Sequence, residues 1–410
     1  LYYIDVKGML SSLHGSAGAI TALQNSVAHY YQRASSADYL GVDPTRRSLT
    51  GTGGYVKVGR KGNAKWNFSE TFTWSSPGFD LNDMGYMKET DYLMNETEIM
   101  YRQTDIWKIF RYNAFTLSQK NLWNYGGTPF SNNASLRWQS MTMNRYEWDV
   151  KETFAWNWLD SRLLRGGPDV RFGSYFLTSA KFNTDKAKRM MFMLKYEGDH
   201  NFEGNRFNTI SPSLTFRLGN HVYLSGQLDY AWNTDEMQYV ATTSPLSSSS
   251  LTPYYYVMGH MDQKTYGLTL KLQVNVTPDI SIQFYGAPFT SIAKYDDFKL
   301  AADTKSHTFE NRFQRIDPDH LTYADGVYTI GEGAGQMPFR NPDFRFNEFR
   351  SNLVARWEYL PGSTLYFVWE HRMSNRDNWY SSGWGSNLER MWGLPATNTF
   401  MIKMNYWFNL

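Results

Sequence analysis

The chain has 410 residues, of which 17% are Phe, Trp or Tyr, in a total of 41% hydrophobic residues with a mean hydropathy of −0.55. Lys and Arg (41) nearly balance Asp and Glu (39), and there is no cysteine. These figures exclude intrinsic disorder, which is poor in aromatics, a basic footprint for nucleic acid, and any disulfide framework, thiolate nucleophile or thiolate zinc site.

No run approaches the roughly 18 apolar residues of a membrane-spanning helix. The opening at Leu1, with neither an initiator Met nor a signal peptide, reads as a mature or truncated product.

In chain order, alternation of period two predicts strands at 1–10, 24–33, 48–58, 64–74, 95–104, 107–120, 133–143, 145–156, 170–182, 188–199, 207–218, 222–232, 264–276, 280–287, 349–359, 363–373 and 398–410. The clearest is Tyr266 to Val276, where apolar Tyr266, Leu268, Leu270, Leu272, Val274 and Val276 alternate with small or polar residues. It turns at Thr277-Pro278-Asp279 and resumes with Ile280, Ile282 and Phe284. Two further hairpins turn at Gly219-Asn220 and Pro361-Gly362. No amphipathic helix of comparable length is present, so the chain reads as all-β.

Tight connections (59–63, near 105, near 144, 183–187, 219–221, 277–279 and 360–363) alternate with long polar ones at 75–94, 122–132, 157–169, 233–253, 286–348 and 374–398. That asymmetry predicts a transmembrane antiparallel up-and-down barrel in the bacterial outer membrane, with short periplasmic turns and long extracellular loops. Closure satisfies sheet edges that lipid cannot, and the Tyr and Trp surplus supplies girdles at both interfaces. The last strand, ending through Lys403, Asn405, Phe408 and Leu410, is similar to a barrel-assembly signal, with Asn405 standing where Gly is usual. An even strand number is required. Sixteen is expected and eighteen is next, with 1–33 the weakest region because Gly15-Ser16-Ala17-Gly18-Ala19 interrupts it.

Several blocks also resemble one uncharacterised outer-membrane family. They are Ser76-Pro77-Gly78-Phe79-Asp80-Leu81-Asn82-Asp83-Met84-Gly85, Gly41-Val42-Asp43-Pro44-Thr45, Leu164-Arg165-Gly166-Gly167-Pro168, Lys294-Tyr295-Asp296-Asp297-Phe298-Lys299 and Arg356-Trp357-Glu358-Tyr359-Leu360-Pro361-Gly362. The resemblance implies a C-terminal outer-membrane barrel domain of unknown function, preceded in full-length members by a module like carbohydrate-binding family nine. That module is absent from this numbering. The resemblance transfers no catalytic residue.

If the apolar strand faces meet lipid, then Arg217, Gln227, Asp229, Lys271, Gln273, Asn275, Arg356 and Glu358 face the lumen, since Arg or Lys on the lipid side costs roughly 2–4 kcal/mol at mid-bilayer. They are a selectivity lining, a binding surface, or a salt-bridged filling. Mixed charge signs imply no strong ion selectivity. The acidic pairs of 286–348 match no calcium-loop spacing, and its glycines lack a nucleotide-site context. No metal or cofactor is expected.

None of the eight histidines lies in an HExxH motif, and there is no GxSxG elbow. Loop aromatics (Tyr254-Tyr255-Tyr256, Trp379-Tyr380, Trp384 and Trp392) suit girdles, protein contacts or glycan stacking. The expected partners are outer-membrane lipid, with other outer-membrane or surface proteins and glycan left open. The expected function is non-catalytic: a porin-like barrel that passes or binds a ligand, or the membrane part of a surface or secretion assembly. The alternatives are a barrel-embedded hydrolase and a glycan-binding outer-membrane protein.

Overall fold

The computed structural model describes residues 1–33, 38–156, 158–219, 221–246, 254–378 and 384–408. It is all-β. Sixteen long strands follow one another: β1 (Tyr2–His14), β2 (Ser48–Arg60), β3 (Trp66–Ser75), β4 (Tyr92–Gln103), β5 (Phe110–Trp123), β6 (Pro129–Thr142), β7 (Glu147–Trp156), β8 (Tyr175–Asn183), β9 (Met190–Asn201), β10 (Arg206–Leu218), β11 (Val222–Thr243), β12 (Tyr255–Asn275), β13 (Ile280–Ala301), β14 (Phe344–Leu360), β15 (Ser363–Asp377) and β16 (Ala396–Asn405). Each is antiparallel to the next, and a three-residue strand, Phe313–Arg315, adds to the end of β13.

The sheet is open. Among the described residues β1 pairs only with β2 and β16 only with β15, so no hydrogen bonds close it. Among the described residues no helix is long and apolar enough to cross a membrane.

Connections at one end never exceed six residues: 61–65, 104–109, 143–146, 184–189, 219–221, 276–279 and 361–362. Gly362 takes φ +80° in the tightest of these, a conformation that a Cβ would strain. The opposite end carries 15–47, 76–91, 157–174, 302–343 and 378–395.

Four sequence readings need correction. Residues 24–33 form no strand: Ser16 caps a short helix, α1 (Ala17–Gln24), by accepting from the Ala19 N–H, and turns follow. Residues 122–132 are no long loop, since only 124–128 separate β5 from β6. Segment 233–253 begins as strand, because β11 continues to Thr243.

The 286–348 connection is shorter than its pattern suggests. β13 pairs with β14 from Ile280↔Trp357 to Ala293↔Phe344, which leaves 302–343 as the connection. That connection holds its own three-stranded sheet of Leu321–Ala324, Val327–Ile330 and Met337–Arg340. Its Ile330 and Phe339 pack on Val257, Met261, Tyr295 and Phe298, so the largest dry core lies where this connection meets the far ends of β12 and β13.

The two faces of the sheet differ in kind. Side chains directly opposite one another on neighbouring strands share a face. One such line runs Phe216, Leu224, Leu272, Phe284, Leu353, Trp369, Phe400 across β10–β16. Its residues are not covered: Leu224 is 41% exposed and Phe400 64% exposed. Ile4, Val6, Phe68, Phe72, Leu117 and Leu136 continue the exposed apolar surface over β1–β6. The alternate residues are polar. One hollow of about 530 Å³ touches Glu96, Lys120, Lys151, Glu197 and Phe207 from β4, β5, β7, β9 and β10. A single hollow reaches strands that far apart only if the polar face curves inward. The concave face is therefore the polar one, and the convex face is mainly apolar and largely exposed.

Candidate functional site

Every residue assigned to a lumen from sequence lies on the concave face. Arg217 is opposite Tyr223, which is opposite Gln273, while Gln227, Asp229 and Lys271 share its parity. Asn275 and Arg356 both oppose Ser281, and Glu358 is two residues beyond Arg356. They do not converge on one point. Asp229 accepts from Ser211 Oγ (2.6 Å) and Gln227 Nε2 (2.9 Å), a local polar filling. Arg356 pairs with Glu358 beside the 361–362 turn, and Arg217 donates to the Lys186 carbonyl (3.2 Å) at the same end. Lys271 and Gln273 line a separate hollow of about 250 Å³ with Tyr223, Tyr285 and Asn352.

A more built arrangement, which the sequence reading missed, lies across β4–β9. The 530 Å³ hollow meets a second one, of about 280 Å³, and both are lined by Lys120 and Asn133. The second hollow opens under the long connections, among Arg33, Glu89, Asp91, Trp158 and Arg162. Its walls are rigidly braced. Buried Arg33 Nη2 donates to Asp91 Oδ2 (2.7 Å), which also accepts from the Tyr39 hydroxyl (2.6 Å). Asp91 Oδ1 accepts from the Tyr125 N–H (3.1 Å), and Arg162 pairs with Glu89 (2.9 Å). Burial and the bond to Asp91 hold the Tyr39 phenol well above its usual range. The pair Arg33–Asp91 joins residues 58 apart, beyond any local motif. Lys120 and Lys151 were legible, because both fall on the polar alternation of their strands.

Beside this mouth His29 is 1% exposed, and its Nε2 lies 3.4 Å from Asp80 Oδ2. Burial pushes its pKa down to about 4 despite the pull of Asp80. The unfolded chain, near 6.5, binds the proton more readily, so His29 supports the fold fully above 6.5 and progressively less as pH falls toward 4. The loss is up to about 3 kcal/mol at 1.36 kcal/mol per unit. Hydrogen-exchange protection over residues 15–33, taken relative to the intrinsic exchange rate at each pH, should fall between pH 7 and 4.5, and less so in His29→Gln. An equal response in both proteins would place the titration elsewhere.

The remaining candidates stand apart. Ser12 Oγ and His14 Nε2 lie 3.1 Å apart on exposed β1, but Ser12 also bonds Thr50, and no carboxylate or carboxamide orients the imidazole among the described residues. This is no triad. Asp317 caps a turn through the Asp319 N–H, and Asp297 pairs with Arg315 (2.9 Å), which accounts for both acidic pairs of the long connection. No three His, Asp or Glu side chains among the described residues are grouped to hold a metal.

Tyr254 is exposed at the start of β12, and Trp392 packs on Phe349 (ring centroids 4.9 Å). Trp379, Tyr380 and the side chain of Trp384 lie outside the described residues. Lys403 and Asn405 are on β16 and Phe408 is exposed beyond it, while Leu410 lies outside the described residues.

With the geometry in place, a family model described as "Domain of unknown function (DUF5916)" matches residues 15–410. The chain belongs to this family. No curated protein and no solved structure matches the chain. Two of the sequence blocks noted above are buried at the long-connection end of this DUF5916 domain: Phe79 of the Ser76-Pro77-Gly78-Phe79 block is 3% exposed, and Leu164, packed on Val170, Met237 and Met258, is 1% exposed.

Proposed function

We propose that this DUF5916 domain is a non-catalytic outer-membrane β-barrel whose polar concave face binds or passes a polar solute. The observation that carries the reading is the convex face, whose exposed apolar side chains recur on strands from β1 to β16. A water-soluble monomer rarely exposes a contiguous apolar patch beyond a few hundred Å², whereas a barrel in lipid requires one. Short turns at one end and long connections at the other support the same reading. In lipid the free edges of β1 and β16 must be satisfied. They run in opposite directions and carry matching outward residues, Ile4 and Val6 on one and Phe400 and Ile402 on the other, so antiparallel pairing would close the barrel.

Expressed protein should stay with membranes through high-salt and alkaline washes and leave only with detergent. Reconstituted in a planar bilayer, it should give discrete conductance steps of weak ion selectivity, because Lys120 and Lys151 face Glu96 and Glu197. Recovery in the soluble fraction without detergent would overturn the membrane reading. Strong selectivity, or leak without steps, would overturn the closed lumen.

A further inference from the structure

The convex face is not uniformly apolar, and the exceptions are ordered. Across β3–β6 the line Trp66, Tyr101, Phe115, Trp138 lies toward the short turns, and Trp74, Leu93, Trp123 toward the long connections. Between them one line reads Glu70, Thr97, Gln119, and the next places Asn95, Asn121 and Asn132 directly opposite one another. Glu70 is already satisfied, taking bonds from the Asn95 amide and from Thr97 Oγ1 (2.6 Å). No hydrogen bond holds the side chains of Gln119, Asn121 or Asn132 among the described residues.

The same face shows how such a group is covered elsewhere. Over β13–β15 the polar convex residues Thr290, Arg345 and Asn347 are all buried. There α2 (Trp384–Trp392) lies on the sheet, with Asn387 accepting from Arg345 and Trp392 on Phe349. Among the described residues no helix or connection lies over the β3–β6 rows as α2 does over β13–β15. In hydrocarbon an unpaired amide costs roughly 1–3 kcal/mol, so three of them would be a standing penalty.

We infer that the convex face of β3–β6 is a docking seam for a second copy of this chain within the membrane. The inference rests on the membrane reading above. The chemistry selects the occupant. Each Asn and Gln carries both donor and acceptor, so a row of amides is complementary to itself. A two-fold axis through the patch would bring Asn121 and its neighbours against their own copies. The one charge in these rows, Glu70, already takes both its donors from Asn95 and Thr97 of its own copy and asks none of a partner. Amide pairs across membrane interfaces are favourable by roughly 0.6–2 kcal/mol.

The absence of native cysteine makes the test clean. In native membranes, mild oxidation of Gln119→Cys should give a disulfide-linked dimer, while Leu270→Cys, on the apolar convex face of β12, should give none. The triple variant Asn95→Val, Asn121→Val, Asn132→Val should remain in the membrane fraction and run as a monomer by mass photometry in mild detergent, where the parent is a dimer. Equal crosslinking at both cysteines, a monomeric parent, or capture of a different protein at position 119 would overturn the seam and leave the membrane reading intact. Loss of the parent itself from the membrane fraction would instead overturn the reading beneath it.

Discussion

Replacing Arg312 with methionine is expected to destabilise the long-connection end of the domain by roughly 3–5 kcal/mol, the usual effect of removing one partner of a buried ion pair. The Arg312 side chain is 1% exposed. Its guanidinium binds Glu203 through both terminal nitrogens (2.8 and 2.9 Å) and also donates to the carbonyls of Arg171 (2.7 Å) and Ser306 (2.8 Å). One side chain therefore ties the 302–343 connection to the short strand Val170–Phe172 and to the turn between β9 and β10. Glu203 also accepts from the Gly173 N–H (2.8 Å).

Methionine fills much of the volume but leaves the Glu203 carboxylate with the Gly173 N–H and no counter-charge from Arg312, and takes a donor from the carbonyls of Arg171, Ser306 and His307. Arg312→Lys keeps the charge and loses the fork, so an intermediate loss is expected. Pairing Arg312→Met with Glu203→Gln should recover part of the stability by removing the stranded charge. The measurement is protease cleavage within 302–343, which should accelerate while the sixteen-strand sheet stays intact by its far-ultraviolet signal. Cleavage unchanged from the parent would show that the connection is held by its dry core around Phe298 and Phe339 rather than by Arg312.

The parts of the fold that the sequence made legible share one property: their two faces differ. β10–β12 and β14–β16 alternate because one side of each strand is apolar and the other polar, and hairpins with Gly219 or Gly362 fix their ends. The pattern fails where that contrast fails. The far half of β13 is packed on both sides, with Ile292, Ala293, Phe298, Lys299 and Leu300 all buried, so its sequence resembles a loop. Between β5 and β6 the reading stopped early because Asn121 and Asn132 occupy positions where an apolar residue was expected. The same two residues belong to the proposed dimer seam.

Residues 24–33 misled in the opposite direction. Val27, His29 and Tyr31 alternate, but Tyr30 takes φ +46° and Tyr31 packs on Ile20 and Leu49 in a small core of its own. Of the candidate site, single polar faces such as Lys271 and Gln273 were legible. The Arg33–Asp91 brace was not, because nothing near Arg33 in sequence refers to Asp91.

Phe79→Ala and Gly51→Ala should both loosen the long-connection end beside β2, by different routes and with different effects on the proposed lumen. The segment Ser76-Pro77-Gly78-Phe79 folds back over the concave side of β2. The Ser76 N–H donates to the Thr52 carbonyl (2.8 Å), Ser76 Oγ accepts from the Thr52 N–H (2.7 Å), and the Asp80 N–H donates to Ser11 Oγ (2.9 Å). The approach is so close that a Cβ on Gly51 would lie 2.1 Å from the Phe79 nitrogen, and one on Gly53 would lie 2.5 Å from the Phe79 ring. Gly51→Ala therefore meets backbone, which cannot rotate away, and the whole 76–91 connection must lift.

Phe79→Ala keeps the backbone bonds and deletes a buried ring, a loss of roughly 3–5 kcal/mol by comparison with other core Phe truncations. Phe79 borders a hollow of about 340 Å³ shared with Lys7, Tyr55 and Tyr92, so truncation also enlarges that hollow and, in the proposed barrel, its entry. In a planar bilayer Phe79→Ala should raise unitary conductance with the step pattern kept. Gly51→Ala should give noisy, variable openings and faster cleavage of 76–91. Gly85→Ala, where a Cβ meets nothing within 4 Å, should match the parent in both measurements. If Phe79→Ala conducts like the parent, the Phe79 block is a structural clasp on β2 and no constriction of the proposed lumen.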